Sequence, residues 1–181
     1  MPLIAVSLRP SPVLTLPPSS ATPIIAVGPG TGVAPLRGLI LERISSGGPG
    51  ALAENNLMFL GCRHALKDRL LGDEWAAMEK AGQVRVHWAT SRTDIAGQLR
   101  PDGEKQYVQD VIASKGELVW DMLLRGAWFY ICGSSGKMPE QVRQTVIEIV
   151  RVHGGLEEDQ ATRFVLERLE NAGRWREECW S

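Results

Sequence analysis

The stretch Ile24-Ile25-Ala26-Val27-Gly28-Pro29-Gly30-Thr31-Gly32-Val33-Ala34-Pro35 decides the fold. It begins as a short apolar run, stops at a cluster of glycine and proline, and continues as an amphipathic stretch to about Ile44. A short apolar run bounded by glycine is typical of a buried strand, and the amphipathic stretch is typical of a helix. The sequence therefore predicts a strand, a tight turn and a helix in direct succession.

The same alternation continues along the chain. Apolar runs at 57–60, 84–88 and 128–131 predict further strands, and helical stretches lie near 69–81, 105–124, 138–152 and 156–171, before a short tail that ends in Trp180. Short strands that alternate with long helices indicate a parallel sheet covered on both faces, and right-handed crossovers make it an open, doubly wound α/β sheet. Ligands of such sheets bind beyond the carboxyl ends of the strands.

Length and composition narrow the possible functions. The 181 residues fit one compact domain, with 44% apolar and 23% charged residues and a formal net charge of -1, which argues against nucleic acid as a partner. The three cysteines show no C-x-x-C spacing, so neither a disulfide framework nor a zinc site is predicted. No apolar run approaches the roughly 18–20 residues that span a bilayer, and we expect a cytoplasmic protein without a membrane partner.

The amino-terminal segment has a different composition. The first 22 residues contain five prolines and short apolar pieces such as residues 3–6. Because proline cannot donate a hydrogen bond to a strand ladder and keeps the preceding residue out of the helical region, this segment predicts an edge strand followed by an extended linker.

The turn after the first strand holds three glycines in five residues, at Gly28, Gly30 and Gly32. Glycine permits positive φ and a close backbone approach, and the free N–H groups and dipole at the start of a helix favour an anion such as a pyrophosphate. The spacing matches neither the dinucleotide fingerprint G-x-G-x-x-G nor the P-loop. From spacing alone, a purely structural turn stays open as the alternative.

The second and third strands each end near an arginine, Arg63 and Arg92, and Ser91 adds a hydroxyl beside the latter. A guanidinium beside a hydroxyl suits a phosphate monoester, because it makes forked, charge-assisted hydrogen bonds to the oxygens. A solvated surface arginine is the alternative for each taken singly. Lys105, Tyr107 and Gln109 could add a cation, a ring and an amide, although alone they form an ordinary helix start.

The fourth strand ends in Cys132 and Gly133, in another glycine-punctuated turn before a helix. Cys132 lies either near the reacting end of a ligand or in the core as a small apolar residue. Trp180 stands next to the last residue, where large aromatic side chains are unusual, so we expect it to pack against something, including a cofactor ring.

In this order, these motifs resemble the NADP-binding module of the ferredoxin–NADP reductase superfamily, and within it the diflavin reductases. The resemblance runs from about Thr22 to the end of the chain. The residues that carry it are Gly28 to Arg37, Gly61-Cys62-Arg63, Ser91-Arg92, Lys105-x-Tyr107-Val108-Gln109, Cys132-Gly133 with Met138, and Trp180-Ser181. Three further features favour the cytosolic branch linked to iron–sulfur cluster assembly over the P450 reductases: Leu118-Val119-Trp120, Trp128-Phe129-Tyr130 and Glu178-x-Trp180.

The resemblance implies a Rossmann-like NADP(H)-binding domain at 22–181, with residues 1–21 as the tail of an FAD-binding domain. It implies an NADPH-dependent flavoprotein oxidoreductase that transfers hydride from NADPH to FAD, and electrons through the FMN of another domain to a protein acceptor. The acceptor of that branch is an iron–sulfur assembly factor. No metal is implied.

The resemblance also implies a role for each site residue. Gly30, Thr31 and Gly32 would lie near the pyrophosphate and nicotinamide, and Gly133 would also bind the cofactor. The 2′-phosphoadenosine would be held by Arg63, Ser91, Arg92, Lys105, Tyr107 and Gln109. Cys132 and Glu178 would flank the nicotinamide C4, and Trp180 would cover the flavin ring. A P450 reductase, a single-flavin ferredoxin reductase and a non-catalytic NADP(H)-sensing domain are the alternatives.

Overall fold

The computed structural model describes residues 12–92 and 105–180. In this part of the chain five strands form one parallel sheet in the order β3-β2-β1-β4-β5. The strands are β1 (Ile24–Pro29), β2 (Asn56–Cys62), β3 (Arg85–Thr90), β4 (Trp128–Ser134) and β5 (Trp175–Trp180). The helices are α1 (Val33–Ser46), α2 (Gly72–Lys80), α3 (Val108–Ser114), α4 (Gly116–Leu124), α5 (Met138–Gly154) and α6 (Glu158–Val165).

The central strands are buried on both faces, as expected for a parallel sheet between helices. Successive side chains of β1 point to opposite faces. Ile25 and Val27 pack in a core with residues of α3 to α6, whereas Ile24 and Ala26 pack in a second core with α1 and α2. The predicted doubly wound α/β sheet is therefore confirmed.

The strand order reverses between β1 and β4. From β1 the chain proceeds to β2 and β3 on one side, and then crosses back so that β4 pairs with the other edge of β1. Two neighbouring strand ends diverge at such a point and leave a crevice. The fold therefore locates a ligand cleft at the carboxyl ends of β1 and β4.

The predicted tail is wrong, because residues 175–180 form the fifth strand. Trp175 pairs with Phe129 of β4, and the two rings stack with centroids 4.6 Å apart and an interplanar angle of 9°. The run Arg176-Glu177-Glu178 hides this strand from an apolar pattern, since an edge strand tolerates charged side chains.

Two predicted helices are interrupted. The stretch 105–124 forms α3 and α4, with a break at Lys115, where φ is -114°. A Cβ on Gly116 would overlap the imidazole of His153 on α5, so this glycine lets α4 pack against α5. The stretch 156–171 forms α6 followed by a π-helical turn at Leu166–Glu170.

The segment 13–22, which we call the strap, packs against the sheet. The Tyr130 hydroxyl donates to the Thr15 carbonyl at 2.7 Å, and the buried Arg43 donates to the carbonyls of Ser20 and Thr22 at 3.2 and 3.0 Å. The predicted edge strand at 3–6 lies outside the described residues, and the domain boundary at residue 22 stays a prediction. Within 12–92 and 105–180, no helix is both long and apolar enough to cross a bilayer.

Candidate functional site

A cleft of about 680 Å³ opens at the carboxyl ends of β1 to β4, where the strand order reverses. The glycine turn after β1, the ends of β2 and β3, the start of α3 and the start of α5 form its walls. Its lining residues are Pro29, Gly30, Thr31, Gly61, Cys62, Arg63, Ala89, Ser91, Gln106, Tyr107, Val108, Gln109, Ser134, Met138, Gln141 and Trp180.

The glycine turn presents backbone to the cleft. Gly30 has φ +59° with open space where a Cβ would lie, and both it and Thr31 are exposed. Gly32 has a different role, because a Cβ there would overlap the carbonyl oxygen of Cys132. Gly32 therefore lets the turn pack against the end of β4, and it is buried behind the cleft rather than lining it.

Two arginines meet at the far rim. The pairing of β2 with β3 continues beyond the strands, with Ser91 N donating to Cys62 O at 3.0 Å and Arg92 N to Arg63 O at 2.7 Å. Arg63 and Arg92 are exposed, and among the described residues no carboxylate pairs with either. By contrast, Arg37 makes two 2.7 Å hydrogen bonds to Glu74, which tie α1 to α2.

The start of α3 forms the wall beside these arginines. The backbone N–H of Tyr107 donates to Asp110 Oδ2 at 2.8 Å, while its side chain is 46% exposed and lines the cleft. Gln109 Nε2 donates to Gln141 Oε1 of α5 at 3.4 Å. Lys105 is exposed two residues before Tyr107 and does not line the cleft.

The ends of β4 and β5 close the opposite side. Cys132 and Glu178 are register partners, as are Ser134 and Trp180. Burial, then the charge of Glu178 and the neighbouring Cys179, raise the pKa of the Cys132 thiol to about 12, so the thiol is neutral at physiological pH. Trp180 is 41% exposed and lines the cleft, and Ser135 N donates to its carbonyl at 2.9 Å.

The family described as oxidoreductase NAD-binding domain matches residues 26–144, well over half of the chain. The chain belongs to this family. The resemblance to the NADP-binding module of the ferredoxin–NADP reductase superfamily is thereby confirmed.

Known relatives of this NAD-binding domain include three reductases. It is 44% identical to NADPH-dependent diflavin oxidoreductase 1 of Mycosarcoma maydis, over 92% of this chain and 24% of that protein. It is 38% identical to the sulfite reductase (NADPH) flavoprotein alpha-component of Vibrio cholerae, over 91% of this chain and 25% of that protein. It is 36% identical to NADPH–cytochrome P450 reductase of Candida maltosa, over 91% and 23%. The chain therefore spans about a quarter of the length of these relatives.

The cleft of this NAD-binding domain brings together seven of the thirteen residues to which the sequence analysis gave a role in the site. They are Gly30, Thr31, Arg63, Ser91, Tyr107, Gln109 and Trp180. Six others lie outside its lining: Gly32, Arg92, Lys105, Cys132, Gly133 and Glu178. Of these, Arg92 and Lys105 are exposed, and Cys132 and Gly133 are buried next to the β4 end. Their ligand roles stay predictions.

Sequence reasoning did not single out three polar residues of the cleft, Gln106, Ser134 and Gln141. Ser134 could have been found, because it follows the fourth apolar run at the edge where ligands bind. No comparable signal marks Gln141, since a glutamine in the first turn of a helix is ordinary. Its place in the cleft depends on how α5 packs against α3.

Proposed function

We propose that this chain binds NADPH in the cleft and, in the whole protein, presents its hydride to FAD. From FAD, electrons pass through FMN to a protein acceptor. The observation that carries the proposal is one cleft with an exposed glycine turn on one side and Arg63 on the other, beside Arg92; both arginines are exposed, and neither pairs with a carboxylate among the described residues. Such a cleft offers separate sites for the two kinds of phosphate in NADPH.

The glycine turn suits the pyrophosphate. Gly30 and Thr31 expose their backbone at the start of α1, where N–H groups and the helix dipole favour an anion. The 2′-phosphate belongs at the rim, where Arg63 and Arg92 supply forked donors and Ser91 supplies a hydroxyl. We assign the exposed Lys105 to the same phosphate. Tyr107 would cover the adenine, and NADPH would be preferred over NADH.

The nicotinamide end belongs beside β4 and β5. Trp180 lines the cleft with much of its indole exposed, which fits a ring that covers a flavin held by another part of the protein. FAD would supply the site that accepts the hydride. This chain's own contribution is to orient the nicotinamide, with Cys132 and Glu178 behind it, and to exclude water.

The whole protein would then be a diflavin reductase of the cytoplasm that serves iron–sulfur cluster assembly. The identity of this chain to diflavin oxidoreductase 1 of Mycosarcoma maydis, 44% against 36% to the P450 reductase of Candida maltosa, supports this branch. The features at residues 118–120, 128–130 and 178–180 support it as well. The acceptor is then an iron–sulfur assembly factor.

Calorimetric titration of the chain with NADP⁺ and with NAD⁺ tests the binding proposal. We expect NADP⁺ to bind much more tightly, and Arg92→Ala to weaken NADP⁺ roughly ten-fold or more while NAD⁺ changes little, because a lost charge-assisted hydrogen bond costs about 1.5–3 kcal/mol. Arg163→Ala removes an exposed arginine from α6, outside the cleft lining, and is the matched control.

The outcomes separate the two parts of the proposal. Equal affinity for the two nucleotides in the unaltered chain would contradict the proposed preference for the 2′-phosphate. An equal loss for both in Arg92→Ala would remove that residue from the 2′-phosphate site. Absence of binding by either nucleotide would contradict a cleft that is complete within this chain.

A further inference from the structure

The cleft contains a hydrogen-bonded amide pair that joins its two helical walls. Gln109 is the second residue of α3 and Gln141 the fourth of α5, so both stand in the first turn, at the cleft rim. Gln109 Nε2 donates to Gln141 Oε1 at 3.4 Å, near the upper limit for a hydrogen bond. A bond this long holds the amides near each other and leaves them able to turn toward a ligand.

The same two side chains separate the cleft from a second cavity. That cavity, of about 440 Å³, lies between α3 and α5 and is also lined by Gln109 and Gln141. On its side, Glu148 is engaged by Arg151 through two hydrogen bonds of 2.6 and 2.7 Å. Gln144, one turn after Gln141, lines this cavity and not the cleft. The amide pair is therefore the part of the α3–α5 seam that faces the cleft.

The chemistry of the pair selects the group that it can bind. A primary amide carries two N–H donors and a carbonyl acceptor, and the pair uses one donor and one acceptor internally. No further hydrogen bond of these two amides to the described residues is present. The remaining donors and acceptors are uncharged and of both kinds, which suits a hydroxyl better than a phosphate, because a phosphate offers acceptors only and is best met by cations.

The position of the amide pair in the cleft narrows the choice of ligand group further. The pair lies between Tyr107, at the arginine side of the cleft, and Met138 and Ser134, at the β4 side. A dinucleotide that spans the cleft presents its sugars between its two rings. We propose that Gln141, together with Gln109, binds a ribose hydroxyl of the nucleotide. The proposal rests on the function proposed above.

Substitution of Gln141 by leucine tests this role, because leucine keeps most of the volume and removes the hydrogen bonds. We expect Gln141→Leu to weaken NADP⁺ about three- to ten-fold, the range for one or two neutral hydrogen bonds. A loss is also expected in the Arg92→Ala background, since the ribose hydroxyls remain when a 2′-phosphate contact is removed. Gln144→Leu, on the same helix but outside the cleft, should leave NADP⁺ affinity unchanged.

The results distinguish this inference from the proposed function. Unchanged NADP⁺ affinity in Gln141→Leu, or an equal loss in Gln144→Leu, overturns the inference while the proposed function stands. An effect that vanishes in the Arg92→Ala background assigns Gln141 to the 2′-phosphate and likewise overturns it. If the unaltered chain binds no nucleotide, the proposed function fails and the inference fails with it. Thermal unfolding of each variant shows whether a loss of affinity is a loss of folding.

Discussion

At the scale of single residues, Cys132 makes stability depend on pH. Its side chain is fully buried, and burial first, then Glu178, raise the thiol pKa from 9.0 to about 12. Between these values the unfolded chain loses the proton while the folded chain keeps it, so stability from this group is complete below about pH 9 and falls as pH rises. The loss is about 1.4 kcal/mol per pH unit within that window.

Urea unfolding of the unaltered chain and of Cys132→Ala, at about pH 7 and about pH 10.5, measures this contribution. We expect the unaltered chain to be the more stable at neutral pH, where alanine leaves a small cavity. The difference should narrow by about 2 kcal/mol at the higher pH. Tyr130, whose pKa burial also raises, is present in both proteins, so its titration cancels. A difference that stays constant with pH would contradict the raised thiol pKa.

Residues of the site differ in how far the sequence could predict them. Arg63 and Ser91 come shortly after apolar runs, and parallel strands bring such positions together at the carboxyl ends of the sheet. The glycine turn was expected as a ligand site, but only the packed structure separates Gly30, which is exposed, from Gly32, which contacts β4. Gln141 enters the cleft through packing between helices, which local sequence does not encode.

At the scale of elements, the stack of Trp175 on Phe129 adds to the strand pairing that holds β5 to β4. We expect Trp175→Ala to lower the free energy of unfolding by about 2–4 kcal/mol, because it removes a large ring from a fully buried partner. Trp175→Phe keeps a stacked ring and should lose less than half as much. Urea unfolding measures both, and hydrogen exchange of the β5 amides should be faster in the alanine variant only. Equal stability of the two variants would show that the strand does not depend on this stack.

Some elements are predicted by their own sequence, whereas others depend on contacts with distant parts of the chain. Strands β1 to β4 are apolar runs of the length that buried strands have, so the sequence predicted them within a few residues. Strand β5 carries three consecutive charged residues, and its strand conformation comes from pairing with β4. The glycine that begins α4 has its reason in another element, since His153 of α5 occupies the space beside Gly116.

At the scale of the whole molecule, the cleft lies at the carboxyl ends of the strands, and the strap is bound at their amino ends. Arg43, only 3% exposed, donates to Asn56 Oδ1 at 2.7 Å and to two strap carbonyls. Asn56 begins β2, so this buried network lies at the amino ends of the strands. The strap is thus fixed at the end of the sheet opposite the cleft.

Turnover of NADPH depends on what meets the nicotinamide in the cleft. Nicotinamide bound beside Trp180 would need an acceptor from outside the described residues, and the relatives are about four times as long as this chain. We expect the purified chain to bind NADP(H) and to show no NADPH-dependent dye reduction above a protein-free control. The rate should stay at that level at saturating NADPH, because binding alone supplies orientation and the flavin supplies the acceptor. Robust dye reduction without added flavin would mean that this chain itself completes the reaction. It would contradict the proposal that this chain binds NADPH and that FAD held by another part of the protein accepts the hydride.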